Sequence, residues 1–299
     1  MTMSDQRSAA AGASRALDAL RERIERASAA SAAGEAFDRV DAQRAVEELL
    51  DALERGEVRA AERDASGRWN AVTWVKTGIM LGYRVSDLVE MGHVAGSSFR
   101  FFDRAVFSAR DLTVADGIRV VPGGSIIRRG SYVAPGVICM PPMLINIGSH
   151  VGADTTIDSH ALVGSCAQVG ARVHVSASAQ LGGVLEPANA APVVIEDDVF
   201  IGGNCGIYEG TVVRRHAVVA TGVILTRGTP VYDLVRETVH RAVDGAPLEI
   251  PEGAVVVPGA RPVSSGWGAE QNLSLQAPII VKYRDEHTNA AIALEPRLR

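Results

Sequence analysis

Aromatic residues are scarce in this sequence, at 5% of 299 residues. A core built on large ring anchors is therefore excluded, and most of the 47% hydrophobic content has to be Val, Ile, Leu and Ala. Cysteine is scarcer still. Cys139, Cys166 and Cys205 form an odd set of 3 with no CxxC pair, which argues against a disulfide framework or a Cys-based zinc site and for a reducing compartment. Positive charge is not in excess, and a formal charge of −5 leaves no basic footprint for nucleic acid. Long apolar runs are missing too. The opening "MTMSDQRSAAAGASRALDALRERIERASAA" has no leader-like hydrophobic segment, and its Asp18, Glu22 and Glu25 speak against a transit peptide. No later stretch approaches the roughly 18 apolar residues of a membrane span. The expectation is a cytoplasmic chain with neither membrane nor nucleic-acid partner, and with no metal site.

What is present is a period. Counting hexads from Val121, the lead positions are Val121, Ile127, Val133, Cys139, Ile145, Val151, Ile157, Val163, Val169, Val175 and Leu181. After an interruption at 187–194 they resume at Ile195, Ile201, Ile207, Val213, Val219 and Leu225. Eleven plus six makes seventeen hexads, and only Cys139 is not aliphatic. The fifth place is small or apolar as well, as at Ser125, Ala161, Ala167, Val173, Cys205 and Ala217. A strand repeats every two residues and a helix every 3.6, so neither produces this pattern. A three-sided prism does. Each hexad supplies one short strand and one corner, three hexads complete a coil, and coils stack at about 4.8 Å. The 30 glycines suit a fold with so many turns. The interruption "PANAAPVV" has the composition of a loop ejected at a corner, able to lean over a neighbouring prism.

The flanks read differently. Ser14 is a candidate N-cap for a first helix carrying Leu17, Leu20, Ile24 and Ala27 on one face. A second helix carries Val46, Leu49, Leu50 and Leu53 and stops at Gly56. "GRWNAVTWVKTGIMLGYRV" reads as a short strand and a buried segment, and "SSFRFFDRAVF" as a connector. The expected organisation is an N-terminal α/β cap at 1–115, a parallel β-helix at 116–229 and a small C-terminal β extension at 230–299.

Several stretches resemble one family. "RVVPGG", "PPMLINIGSHV", "TIDSHALVGSCAQVGARVHVS", "LGGVLEP", "VVIEDDVFIGG" and "PEGAVVVPG", with "WVKTGIMLGYR" and "FRFFDR" in the cap, are similar to the tetrahydrodipicolinate N-succinyltransferases of lysine (diaminopimelate) biosynthesis. The resemblance implies a left-handed prism, a homotrimer with active sites between subunits, and no tightly bound cofactor. It also implies succinyl-CoA as co-substrate and an amino-dicarboxylate acceptor.

Acyl transfer to an amine needs a group that takes a proton from the ammonium, a positioned thioester and a grip on the acceptor's carboxylates. By resemblance, Asp158 is the residue that contacts the acceptor amine, and Arg119 binds a substrate carboxylate through its planar fork. On spacing alone Asp158 reads as an exposed turn residue. The chain departs from the family at "FIGGNCGIYEG", where Gly206 replaces a Glu with a proposed catalytic role. Either Asp158 works alone, or Glu209, matching a second family Glu, or His160, standing where the family usually has Trp, substitutes, or the acceptor has changed. Gly203, Gly222 and Thr226 are expected on one edge that meets the pantetheine arm, with Lys282 among the basic residues available for phosphates. A paralogue acylating a different amino acid, and a non-catalytic β-helix binding protein, are the rival readings.

Overall fold

The computed structural model describes residues 3–93, 100–243 and 245–288. Two-residue strands recur through its middle, beginning with Arg119–Val120, Ile126–Ile127 and Tyr132–Val133 and continuing to Ile224–Leu225. Each pairs in parallel with the strand one coil away, giving three sheets. The first face stacks Val120, Cys139, Ile157, Val175, Ile201 and Val219; the second, Ile127, Ile145, Val163, Leu181, Ile207 and Leu225; the third, Val133, Val151, Val169, Ile195 and Val213. The expected left-handed parallel β-helix is what forms, mainly β with a helical cap. Almost all of these lead residues belong to one buried cluster, with the fifth-place Ala161, Ala167, Val173, Cys205 and Ala217 among them.

The corners have a local cause. The fourth residue of successive hexads takes the left-handed backbone region, as in Asp154 (φ 58°), His160 (φ 62°), Cys166 (φ 66°) and Arg172 (φ 55°). That conformation is disfavoured for residues with a Cβ. It is repeated because it turns the amide toward the previous rung: His160 N donates to Pro142 O and Cys166 N to Ile147 O. Arg172 N, Ser178 N, Asp198 N, Asn204 N and His216 N are satisfied in the same way.

Three details differ from the sequence reading. In the first rung Val120, not Val121, stacks beside Cys139, because the segment before Ile127 holds one residue more than the period allows. The ejected segment leaves after Leu181, and Val194 has already rejoined the third face. The stacking also continues past residue 229. Ile250 sits over Val213 and Val256 over Val219, both fully buried, after an insertion that hides the period. Beyond them Ile279–Tyr283 pairs antiparallel with Ala254–Val257 and parallel with Val231–Asp233.

The N-terminal part contains α1 (Met3–Ala33), α2 (Arg39–Glu54), β1 (Ala61–Arg63), β2 (Trp69–Ala71), α3 (Thr73–Val85), β3 (Leu88–His93) and β4 (Arg100–Arg104). Helix α1 starts well before Ser14, which is therefore no cap. The Asp38 carboxylate caps α2 by accepting from the amides of Val40 and Asp41. The buried segment predicted after Trp69 is α3, and the supposed connector contains β4 and a short 3₁₀ turn, residues 97–99 lying outside the described set. Helices α1, α2 and α3 share a core in which Gly78 permits contact, since a Cβ there would meet Leu49 Cδ2 at 2.4 Å. This core includes Ile147 and Cys166, so the helices sit on the edge between the second and third faces. Arg214 fastens the arrangement, bonded to Glu196 at 2.9 Å and Glu249 at 2.8 Å, while Trp69 Nε1 donates to Glu196 at 2.9 Å.

Candidate active site

The candidate residues divide between the two edges that flank the second face. Asp158 directly follows Ile157 at the corner between the first and second faces and is half-buried. One of its carboxylate oxygens accepts from Ser159 N at 2.7 Å, and the other has no hydrogen-bond partner among the described residues. His160 is the exposed left-handed residue of the same corner, and its ring makes no hydrogen bond among the described residues. Histidine tolerates that conformation better than most residues. The position therefore has a local structural reason to hold a small polar ring.

Gly203 and Gly222 lie on this edge two and three rungs further along, joined by a bond from Gly222 N to Gly203 O at 3.0 Å. Arg119 opens the first-face sheet two rungs before Asp158, about 10 Å away along the axis. The two residues expected to share the acceptor thus lie two rungs apart along the first face.

The other edge carries Glu209 and Thr226. The four residues expected to hold coenzyme A consequently do not share an edge. Gly203 and Gly222 are on one, Thr226 is on the other, and Lys282 is in the last strand of the first-face sheet, paired with Asp285 at 3.3 Å. Residues 289 onward lie outside the described set.

A cavity of about 920 Å³ opens along the edge of Glu209. Gly182, Gly183, Tyr208, Glu209, Thr226 and Arg227 line its prism side, and β2 with the ejected loop encloses it. Glu209 is exposed and is occupied in part by Arg227 N, which donates to it at 2.9 Å. The loop leans on its own chain. Lys76 of α3 is fully buried beneath it and donates from Nζ to Ala190 O at 2.6 Å and Pro187 O at 3.1 Å. Burial lowers the Lys76 pKa from its ordinary value, so the two carbonyls stand in for lost water. Lys76 escaped the sequence reading, though a lysine inside the apolar run "WVKTGIMLG" is the signal that marks it.

Tyr208 was missed as well. Its ring lies over two glycines. A Cβ on Gly206 would come within 2.4 Å of Tyr208 Cε2, and one on Gly182 within 2.6 Å of Cδ1. The place where the resemblance expects a glutamate is thus filled by a phenol ring from two residues later. The cysteines take no part. Burial pushes Cys139 and Cys166 up to about 12 and raises Cys205, which suppresses the thiolate that a nucleophile needs.

A model of the tetrahydrodipicolinate N-succinyltransferase N-terminal region matches residues 19–85, and one of the hexapeptide repeat of succinyl-transferase matches 192–227. The 2,3,4,5-tetrahydropyridine-2,6-dicarboxylate N-succinyltransferase of Polynucleobacter asymbioticus is 40% identical over 263 residues, 87% of this chain and 90% of that protein. The chain belongs to this N-succinyltransferase family. The Idiomarina loihiensis enzyme of the same name is also 40% identical, over 265 residues covering 87% of the chain and 90% of that protein. Among solved structures, the hexapeptide-repeat acetyltransferase of Vibrio cholerae in complex with acetyl coenzyme A aligns with TM-score 0.28 and 21% identity, covering 40% of this chain and 65% of that one.

Proposed function

We infer that this chain is an acyl-CoA-dependent N-acyltransferase that moves succinyl from succinyl-CoA to the amino group of tetrahydrodipicolinate in its open 2-amino-6-oxopimelate form, a step of diaminopimelate and lysine formation. The observation that carries the reading is the 40% identity to N-succinyltransferases over 87% of the chain. Asp158 accepts a proton from the acceptor ammonium and keeps the amine facing the thioester. The amine nitrogen bonds to the thioester carbon, the C–S bond breaks, the second N–H proton goes to sulfur so that coenzyme A leaves as thiol, and the first passes from Asp158 to water. Arg119 serves the acceptor's carboxylate, and the acyl donor occupies the cavity beside Gly182 and Thr226. The reaction needs no tightly bound cofactor and belongs to the cytoplasm. No helix among the described residues is long and apolar enough to cross a membrane, and the three cysteines are free.

The site is completed by a threefold assembly. The outward column of the second face is Ile126, Leu144, Leu162, Gln180, Gly206 and Ile224, and Ile126 is 46% exposed. Such a column favours burial against copies of itself. Around a threefold axis facing this column, the Asp158 edge of one subunit meets the Glu209 edge of the next. Glu209 follows the second-face strand two rungs beyond the one that Asp158 precedes, about 10 Å in height. Asp158 therefore works without it. Mixing purified protein with succinyl-CoA and tetrahydrodipicolinate should release free coenzyme A only when both are present. No release would remove the assignment.

A second acceptor is favoured by one feature, the ring of Tyr208 in place of a carboxylate. An acceptor other than tetrahydrodipicolinate would be recognised by release of coenzyme A across a panel of amino acids with no response to the pathway substrate.

A further inference from the structure

A second cavity, of about 340 Å³, lies against the third face and shares only the wall residue Trp69 with the cavity beside Glu209. Its wall from the N-terminal part holds Arg59, Arg63 and Trp69, and its wall from the prism holds His150, Gln168 and Asp197. This volume is in the range of small-molecule sites. The chemistry of its lining is lopsided.

Arg59 is partly buried and makes no ion pair among the described residues. Its Nε donates to Gln168 Oε1 at 2.9 Å, and its guanidinium stacks over the Trp69 ring at 5.5 Å. Both terminal nitrogens are left without a hydrogen-bond partner among the described residues. Of the two carboxylates lining the cavity, Glu196 is engaged elsewhere: it accepts from Trp69 Nε1, Arg214 Nη1 and Arg215 N. Burial lowers the Arg59 pKa from its ordinary value, and the charges of Glu62 and Asp197 offset that only in part. His150 does not compete for an anion. Burial, then the charge of Arg59, pushes it down to about 3, so it is a neutral ring in the wall.

Asp197, on the prism wall of the same cavity, is 48% exposed. One of its oxygens accepts from Ala171 N at 2.9 Å, and the other is 3.8 Å from Arg172, too far for a hydrogen bond. One wall thus offers a pre-oriented fork for a carboxylate and the other a carboxylate for an ammonium. We propose that the cavity between Arg59 and Asp197 binds a free α-amino acid as its zwitterion, carboxylate on the Arg59 fork and ammonium on Asp197. Trp69 and His150 wall the ligand's carbon skeleton. A bidentate guanidinium–carboxylate contact is among the stronger polar interactions and explains why an arginine is held ready there. The site is separate from the acyl-transfer reading and stands or falls without it.

Calorimetric titration of the full chain with a panel of free L-amino acids tests this, with acetate and ammonium chloride as half-ligand controls. At least one amino acid should bind once per chain, with acetate and ammonium far weaker. Arg59→Gln should weaken that binding about tenfold or more, Asp197→Asn should weaken it too, and Asp158→Asn should leave it unchanged. Asp197 is exposed enough that its variant keeps the fold, so it decides the matter should Arg59→Gln fail to fold. The proposal is overturned if no amino acid of the panel binds. It is also overturned if binding survives Asp197→Asn or a folded Arg59→Gln, if acetate binds as tightly as the amino acid, or if Asp158→Asn abolishes binding.

Discussion

The ring of Tyr208 occupies the space above Gly206, so closely that a Cβ on the glycine would stand 2.4 Å from Cε2 of the ring. The two residues are therefore one unit of sequence. Restoring a glutamate by Gly206→Glu alone should destabilise the protein by about 1–3 kcal/mol, the usual cost of overpacking. The double variant Gly206→Glu/Tyr208→Val should recover most of that. Thermal unfolding of both variants checks it, and a single variant as stable as the parent would show that the ring moves aside freely.

Lys76 holds the ejected loop through the carbonyls of Pro187 and Ala190. Lys76→Met removes both charge-assisted bonds while relieving a desolvated charge, so overall stability should change little. The loop itself should loosen. Hydrogen exchange at 187–191 should quicken, and KM for the acyl donor should rise severalfold with kcat changed less. Unaltered exchange in that segment would mean the loop is held by its other contacts.

Asp158 and Glu209 make a contrasting pair, because they lie on different edges and about two rungs apart. Asp158→Asn should lower kcat/KM for coenzyme A release by about 10²–10⁴, the range for loss of a general base. Glu209→Gln should cost roughly tenfold or less, since its side chain is exposed and bonded to Arg227 N. A larger loss at Glu209 than at Asp158 would reverse the roles assigned here.

The repeat made most of the prism legible, because an interior only one residue wide leaves a mark every sixth position. The corner chemistry was half-legible. Asp154, His160 and Arg172 follow the period, but nothing in a single hexad announces that its fourth residue is left-handed. The slip to Val120 and the resumption at Ile250 and Val256 were hidden by an inserted residue and by the insertion after Leu225, each of which breaks a count without breaking the stack. The contacts of Lys76 and Arg59 were out of reach for a different reason. They join segments far apart in sequence, and only the closed fold brings Lys76 under Ala190 or Arg59 beside Gln168.

The C-terminal extension depends on a buried carboxylate. Asp233 has a fully buried side chain that accepts from Tyr283 Oη at 2.7 Å and faces His240 Nε2 at 3.3 Å. Burial alone would raise its pKa, but the bonds from Tyr283, from the backbone amides of Arg236 and Val235 and from His240 outweigh it and hold the group below its ordinary 3.8. A carboxylate depressed in the folded state contributes stability above its unfolded pKa and loses it as the pH falls through the folded value. Protection of Ile279–Tyr283 should thus be constant above about pH 5 and decline below about pH 4. Asp233→Asn should flatten that acid limb. An unchanged acid limb in the variant would place the titrating group elsewhere.

The arrangement of edges makes a prediction that no single-chain site can satisfy. Asp158 lies on one side of the apolar second face, and the cavity lined by Thr226 lies on the other. In a threefold ring the Asp158 of one subunit faces the cavity of its neighbour. Asp158→Asn removes the proton acceptor, and Thr226→Trp fills the cavity, so each variant alone should be nearly inactive. Unfolding and refolding them together in equal amounts assembles mixed rings. A site is intact where a Thr226→Trp subunit supplies Asp158 and the next, an Asp158→Asn subunit, supplies the cavity. With random placement of independent subunits that is about one site in four. The mixture should therefore recover about a quarter of parental coenzyme A release. Recovery near zero, with mixed rings verified by mass, would place aspartate and cavity in the same subunit and overturn the shared site.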